Sequence, residues 1–162
     1  MAEATPSQTV GPFFSLGLCA RDEHELVEPS TPGAVVVEGT VFDGAGEPVP
    51  DALLEIWLGG EDAGGWGRCG TDPQGRYRFV TPLPLPHGGQ APHLSVLVFA
   101  RGLLKPALTR IYVPDDAANA GDPLLASLTE TERSRLVAEP AEGGLRFDVH
   151  LQGERQTTFF AL

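Results

Sequence analysis

Glycine and proline punctuate this chain so densely that its apolar residues fall into short runs, and that punctuation limits the fold more than any other feature. The 20 Gly and 15 Pro residues leave segments of strand length, the pattern of an all-β sandwich rather than of a helical or βαβ protein. Val35 to Phe42 is the first clear strand, rich in β-branched residues, and it stops at the turn Asp43-Gly44-Ala45-Gly46. Leu53 to Leu58 follows, with Leu54, Ile56 and Leu58 sharing a face. Asp72-Pro73-Gln74-Gly75 has the proline and glycine placement of a type I turn and leads into the alternation Arg76-Tyr77-Arg78-Phe79.

Leu94 to Ala100 is apolar on both faces apart from Ser95, which places it centrally in a sheet. Leu108 to Val113 is a shorter strand, and Leu145 to Leu151 alternates so as to bury Leu145, Phe147, Val149 and Leu151. Thr81 to Pro92 is a proline-rich loop. One short helix is expected after Thr129, which stands three residues before Glu132 in a capping-box spacing, with Pro140 beyond it. The expected fold is therefore a two-sheet antiparallel β-sandwich with one short helix in the C-terminal half. It forms a single domain over residues 1–162, long enough to bury a core without disulfide staples. Residues 1–33 read as an irregular arm, yet they carry Phe13, Phe14, Leu16 and Leu18, which must be covered by this domain or by a partner.

The net charge of −11 argues against nucleic acid as a partner, because phosphate binding needs clustered Lys and Arg. It argues equally against an anionic membrane surface, and no apolar run approaches a bilayer-spanning length. A small anionic substrate would need a local cation to offset the overall field. Cys19 and Cys69 have no CxxC spacing, and the N-terminus shows no basic or apolar leader. A cytoplasmic protein with reduced thiols is expected.

Within the chain, no motif supplies a complete reaction centre. His24, His87, His93 and His150 show neither HxH nor HExxH spacing. His24, His87 and His150 read as solvated or hydrogen-bonded histidines, whereas His93 opens the central strand and shares parity with Ser95, Leu97, Phe99 and Arg101. The two tyrosines, Tyr77 and Tyr112, fit strand interiors as core aromatics. There is no GxSxG elbow and no phosphate-binding loop. Cys69 follows Arg68, a neighbour that can lower a thiol pKa, but a small strand residue is the plainer reading.

A resemblance fills the gap. Thr5-Pro6-Ser7-Gln8-Thr9-Val10-Gly11-Pro12-Phe13-Phe14 is similar to the N-terminal signature of protocatechuate 3,4-dioxygenase chains, members of the intradiol ring-cleaving dioxygenases. The similarity runs on in order through Val41-Phe42-Asp43-Gly44, Leu54-Glu55-Ile56-Trp57, the hairpin from Gly67 to Phe79, Ala91-Pro92-His93-Leu94-Ser95 and Thr109 to Val113. It ends in Arg146-Phe147-Asp148, Leu151 to Glu154 and Thr157 to Phe160. Catalytic beta-type chains of that family hold Fe(III) with two tyrosines and a His-x-His pair. Here the second histidine position is Ser95, and Leu83-Pro84-Leu85-Pro86 replaces the element that brings one tyrosine. The stretch from Gly59 to Gly67, shortened, has no tyrosine either.

The pattern resembles the family's alpha chains. It implies that His93 and Ser95 mark a vestigial metal site, that no metal and no catalytic residue belong to this chain, and that Fe(III) sits on a partner beta-type subunit. Thr9, Gly11, Pro12 and Arg101 match the positions through which alpha chains enclose that partner's site. Arg101 would complement a benzoate-type carboxylate or form an ordinary interface ion pair. Phe13 stands where alpha chains commonly have tyrosine. The resemblance implies a hetero-oligomer of αβ protomers in aromatic catabolism. It would cleave protocatechuate with O2 to 3-carboxy-cis,cis-muconate, this chain being inactive alone. A transthyretin-like binding module without catalysis is the alternative left by the strand pattern of residues 37–56.

Overall fold

The computed structural model describes residues 4–11, 13–19, 23–59 and 65–161. Its strands are β1 (Ala34–Phe42), β2 (Leu53–Leu58), β3 (Gly65–Gly70), β4 (Arg76–Pro82), β5 (His93–Phe99), β6 (Ala107–Tyr112), β7 (Glu139–Ala141), β8 (Gly144–Arg146) and β9 (Val149–His150). They form two sheets. One has the order β4-β1-β8-β7, with β9 also paired to β1; the other has the order β3-β2-β5-β6. As the apolar run predicts, β5 is interior, hydrogen-bonded to β2 on one side and β6 on the other. The core is made by side chains of alternating parity, among them Val37, Val41, Leu54, Ile56, Phe79, Val96 and Val98, each inaccessible to solvent. Each such side chain contributes roughly 1.5–3 kcal/mol by leaving water.

The C-terminal strands differ from the expectation in two ways. They run parallel to β1, not antiparallel, because a long crossover through the helical segment returns the chain to β1 in the same direction. Nor is Leu145 to Leu151 one strand: after the Phe147 N–H, which still donates to Glu38 O at 2.8 Å, the ladder to β1 breaks and resumes only at Val149. There the Asp148 carboxylate takes the Thr40 N–H at 2.9 Å, while the Phe147 carbonyl accepts from the buried Tyr77 hydroxyl at 2.5 Å. Gly39 permits this, since a β-carbon at that position would collide with the Phe147 carbonyl. Leu145, Phe147 and Val149 are buried as expected, but Leu151 is only partly so.

The capping box at Thr129 and Glu132 is present and opens the helix Glu130–Ser134. Three further short helical segments accompany it: α1 (Phe14–Leu18) in the arm, a 3-10 turn over Ala117–Gly121 and a helix over Pro123–Ser127. In chain order the last α-helices are α2 (Pro123–Ser127) and α3 (Glu130–Ser134). Asp122 caps α2 through the N–H groups of Leu124 and Leu125, with Pro123 at the first helical turn. These helices cover a smaller core of Ala91, Tyr112, Leu125 and Leu136 at one end of β6.

The arm closes one side of the sandwich. Its residues 24–26 pair with the outer edge of β4, through Leu26 N–H to Val80 O and Val80 N–H to His24 O. The Arg68 N–H of β3 also donates to Glu23 O, so the segment bridges the two sheets. Gly67 makes room for the crossing, because a side chain there would run into Leu26 and the Glu23 carbonyl.

Candidate functional site

The sequence-predicted residues fall at two places, at opposite ends of β5. His93 opens the strand and Ser95 follows on the same face. Arg101 lies just past the other end of this seven-residue strand, whose six steps from His93 to Phe99 span about 20 Å. Thr9 is brought to the Arg101 end, where its hydroxyl accepts the Gly102 N–H at 2.7 Å. Gly11 stands close by in sequence with open space where a β-carbon would point. Pro12 lies outside the described residues. Arg101 forms an ion pair with Asp51 of the same chain, and its guanidinium is 59% exposed. Phe13, beside Pro12, is 76% exposed.

At the other end the geometry is set by buried hydrogen bonds. His93 is 2% exposed, and its Nδ1 lies 2.8 Å from the Ala91 carbonyl. A carbonyl only accepts, so Nδ1 carries the proton and Nε2 keeps its lone pair. Burial holds the His93 pKa below its ordinary value, despite the Ala91 carbonyl. The ring is sandwiched between His87, at 5.1 Å, and Tyr112, at 5.2 Å between centroids. His87 fills the space in which a side chain at Gly59 would stand, and its buried Nδ1 has no hydrogen-bond partner among the described residues. Ala91 is fixed in turn by its N–H to Asp122 Oδ2 at 2.9 Å. Asp122 Oδ1 accepts from the Tyr112 hydroxyl at 3.3 Å, and that hydroxyl accepts from Arg110 at 3.0 Å.

Ferric iron with a donor set of two phenolates and two imidazoles is not matched by these side chains. His93 offers one imidazole nitrogen, and Ser95 offers a hydroxyl. Both phenols are engaged elsewhere: Tyr77 binds the Phe147 carbonyl and Tyr112 belongs to the Arg110–Asp122 chain. Burial pushes both tyrosines up from their ordinary pKa, away from the phenolate that iron requires. Leu83 and Leu85 are 43% and 57% exposed and bring no donor. Among the described residues no group of three or more His, Cys, Asp or Glu side chains converges on a point. The thiols are no better placed for chemistry. Burial raises the pKa of both Cys19 and Cys69, outweighing at Cys19 the opposing charge of Arg68; that guanidinium is held by Glu55 at 2.6 Å and lies over Trp66.

Sequence reasoning gave four residues here no place at the site, among them His87, which it read as a solvated or hydrogen-bonded histidine and which stacks on His93 instead. Arg110 pairs in register with Ser95, and Ser95 with Trp57, which pairs with Trp66; together they make one row across the outer face of the sheet. Trp57 is 50% exposed. Its position was readable, since it takes a polar slot in the alternation of β2. Asp122 was readable too, from the Asp-Pro that starts a helix. Nothing local marks His87, whose place depends on the path of the loop.

No protein-family model matches the chain. Among curated proteins it is 39% identical to the protocatechuate 3,4-dioxygenase alpha chain of Burkholderia cepacia, covering 96% of both chains. It is 32% identical to the alpha chain of Pseudomonas putida, over 96% of this chain and 95% of that one. It is 31% identical to the protocatechuate 3,4-dioxygenase beta chain of Burkholderia cepacia, over 76% of this chain and 66% of that one. Among solved structures, the dioxygenase domain of a dioxygenase carbohydrate-binding protein fusion from Streptomyces sp. SirexAA-E aligns with a TM-score of 0.65 at 27% identity. The alignment covers 93% of this chain and 99% of that one. With coverage this complete and an N-terminal signature to match, the chain belongs to the protocatechuate 3,4-dioxygenase alpha chains of the intradiol ring-cleaving dioxygenases, a family of enzyme subunits.

Proposed function

We propose that this chain is the iron-free subunit of an αβ protocatechuate 3,4-dioxygenase. The complex cleaves protocatechuate with O2 between its two hydroxylated carbons to give 3-carboxy-cis,cis-muconate. Fe(III) is carried by a beta-type partner, and this chain encloses the partner's site with Thr9, Gly11, Pro12 and Arg101. The observation that carries the reading is the separation along β5: the Thr9 and Arg101 group lies about 20 Å from His93, where a metal site of this chain would be. Residues grouped so far from their own chain's vestigial site are available to serve a partner's. Exposed apolar side chains support an obligate partner, since Phe13, Leu18, Trp57, Leu83 and Leu85 all lie open on the single chain. Residues 1–33 then form an arm whose first part packs on the partner. No helix among the described residues is long and apolar enough to cross a membrane, and we place the complex in the cytoplasm.

The test is to express the chain alone and together with a beta-type partner, then measure iron content and protocatechuate-dependent oxygen uptake. The single chain is expected to be iron-free and inert, and the pair ferric and active. Stoichiometric iron and oxygen uptake by the single chain would overturn the reading.

A further inference from the structure

Three of the chain's arginines and one of its four histidines line a recess to which none of the residues gathered at the two ends of β5 contributes. The cavity, of about 300 Å³, lies between the end of α3 and the C-terminal loop and is lined by Arg135, Arg146, Arg155 and His150, with Ser134 and Thr157. Two carboxylates also face it, Asp148 and Glu139. Asp148 is already committed: it accepts from Arg146 Nη2 at 3.0 Å and from the Thr40 N–H. Glu139 is exposed and stands opposite Arg146 in the β7–β8 register. Arg135 spends one nitrogen on the Glu154 carbonyl at 2.5 Å. Among the described residues, neither Arg135 nor Arg155 has a carboxylate within ion-pair reach. The recess is thus net cationic in a chain of net charge −11, where diffuse attraction for anions is absent and only a local site can hold one.

We propose that this recess binds a small oxyanion, a carboxylate or a phosphate. Arg155 and Arg135 supply charge-assisted donors, and His150 flanks them. The planar guanidinium fork suits either group, because both present two oxygens at the spacing of its N–H pair. The His150 ring is stacked on Phe42 at 4.9 Å, and its backbone N–H donates to Thr157 Oγ1 at 2.9 Å. The wall is therefore set before any anion arrives.

The test titrates the full-length chain with inorganic phosphate and with succinate by calorimetry, at constant ionic strength against chloride. The variants are Arg155→Gln, Arg135→Gln and, as a control of equal charge change outside the recess, Arg76→Gln. Saturable binding is expected, weakened about tenfold or more by either recess variant, as loss of one charge-assisted hydrogen bond implies. Arg76→Gln should leave it unchanged. Preference for phosphate or for succinate identifies the source of the oxyanion. In wild-type protein the His150 ring resonances should move with the same saturation curve, a readout that needs no variant. Absence of saturable binding to both anions, or an equal loss in all three variants, would overturn the proposal.

Discussion

Thr9 and Gly102 are joined by a 2.7 Å hydrogen bond in which the Gly102 N–H donates to the Thr9 hydroxyl. The contact links the N-terminal arm to the turn that carries Arg101, across more than ninety positions of sequence. It gives the arm a fixed point where the neighbouring residues 4–8 are exposed. Thr9→Val removes the acceptor while keeping the shape. The bond is exposed, so the stability of the single chain should fall by no more than about 1 kcal/mol. In the reconstituted pair, KM for protocatechuate should rise while kcat changes little, and Thr9→Ser should restore it. Steady-state oxygen uptake separates the two constants.

Arg101 and Asp51 allow the two roles of Arg101 to be told apart. The guanidinium is more than half exposed, so its ion pair contributes little to stability. If Arg101 also complements the substrate carboxylate in the complex, Arg101→Ala should raise KM by roughly tenfold or more, the worth of one charge-assisted hydrogen bond. Asp51→Asn should leave KM near wild type, because the cation remains. Equal effects of the two substitutions would assign the pair a purely structural role. The measurement is KM for protocatechuate beside thermal melting of each variant.

Gly39, Tyr77 and Phe147 make a single joint between the two C-terminal strands and β1. A β-carbon at Gly39 would meet the Phe147 carbonyl, so Gly39→Ala must displace the C-terminal strands or strain β1. A loss of about 1–3 kcal/mol is expected. Tyr77→Phe leaves the carbonyl without its buried donor and should cost a similar amount, about 1–3 kcal/mol. The double variant should cost less than the sum, since both changes act on one carbonyl. Urea denaturation of the single chain measures all three.

The sandwich was legible because its signals are local. The β-branched run of β1, the Asp-Pro-x-Gly turn and the capping box at Thr129 each name their own structure. The parallel C-terminal strands were not, because parallel pairing depends on where a crossover returns, and Leu145 to Leu151 alternates equally well in either direction. The break at Phe147 depends on Tyr77, seventy residues away in sequence. Within the site, the donors that the family resemblance calls for could be sought position by position in the sequence. The partnership of His93 with His87 could not, because the stack depends on how the loop carrying His87 returns to the start of β5.

Asp122 links the helical cap to the orientation of His93, and its effect should depend on pH. Burial disfavours its charge, but the N–H groups of Leu125, Ala91 and Leu124 outweigh that and hold its pKa below the ordinary carboxylate value of 3.8. A depressed carboxylate stabilises the fold fully above its unfolded pKa, and that contribution is lost as pH falls through the folded value. Asp122→Asn should therefore destabilise the chain by about 1–3 kcal/mol at pH 7, because an amide nitrogen must face one of those donors. The gap between wild type and variant should narrow once the pH drops below about 4. The same substitution frees Ala91, so the His93 ring should lose its single orientation, which NMR of the imidazole would show as averaging. Urea melts at pH 7, 5 and 3 decide the matter: a gap that stays constant to pH 3 would mean that the charge of Asp122 contributes nothing, leaving only its shape.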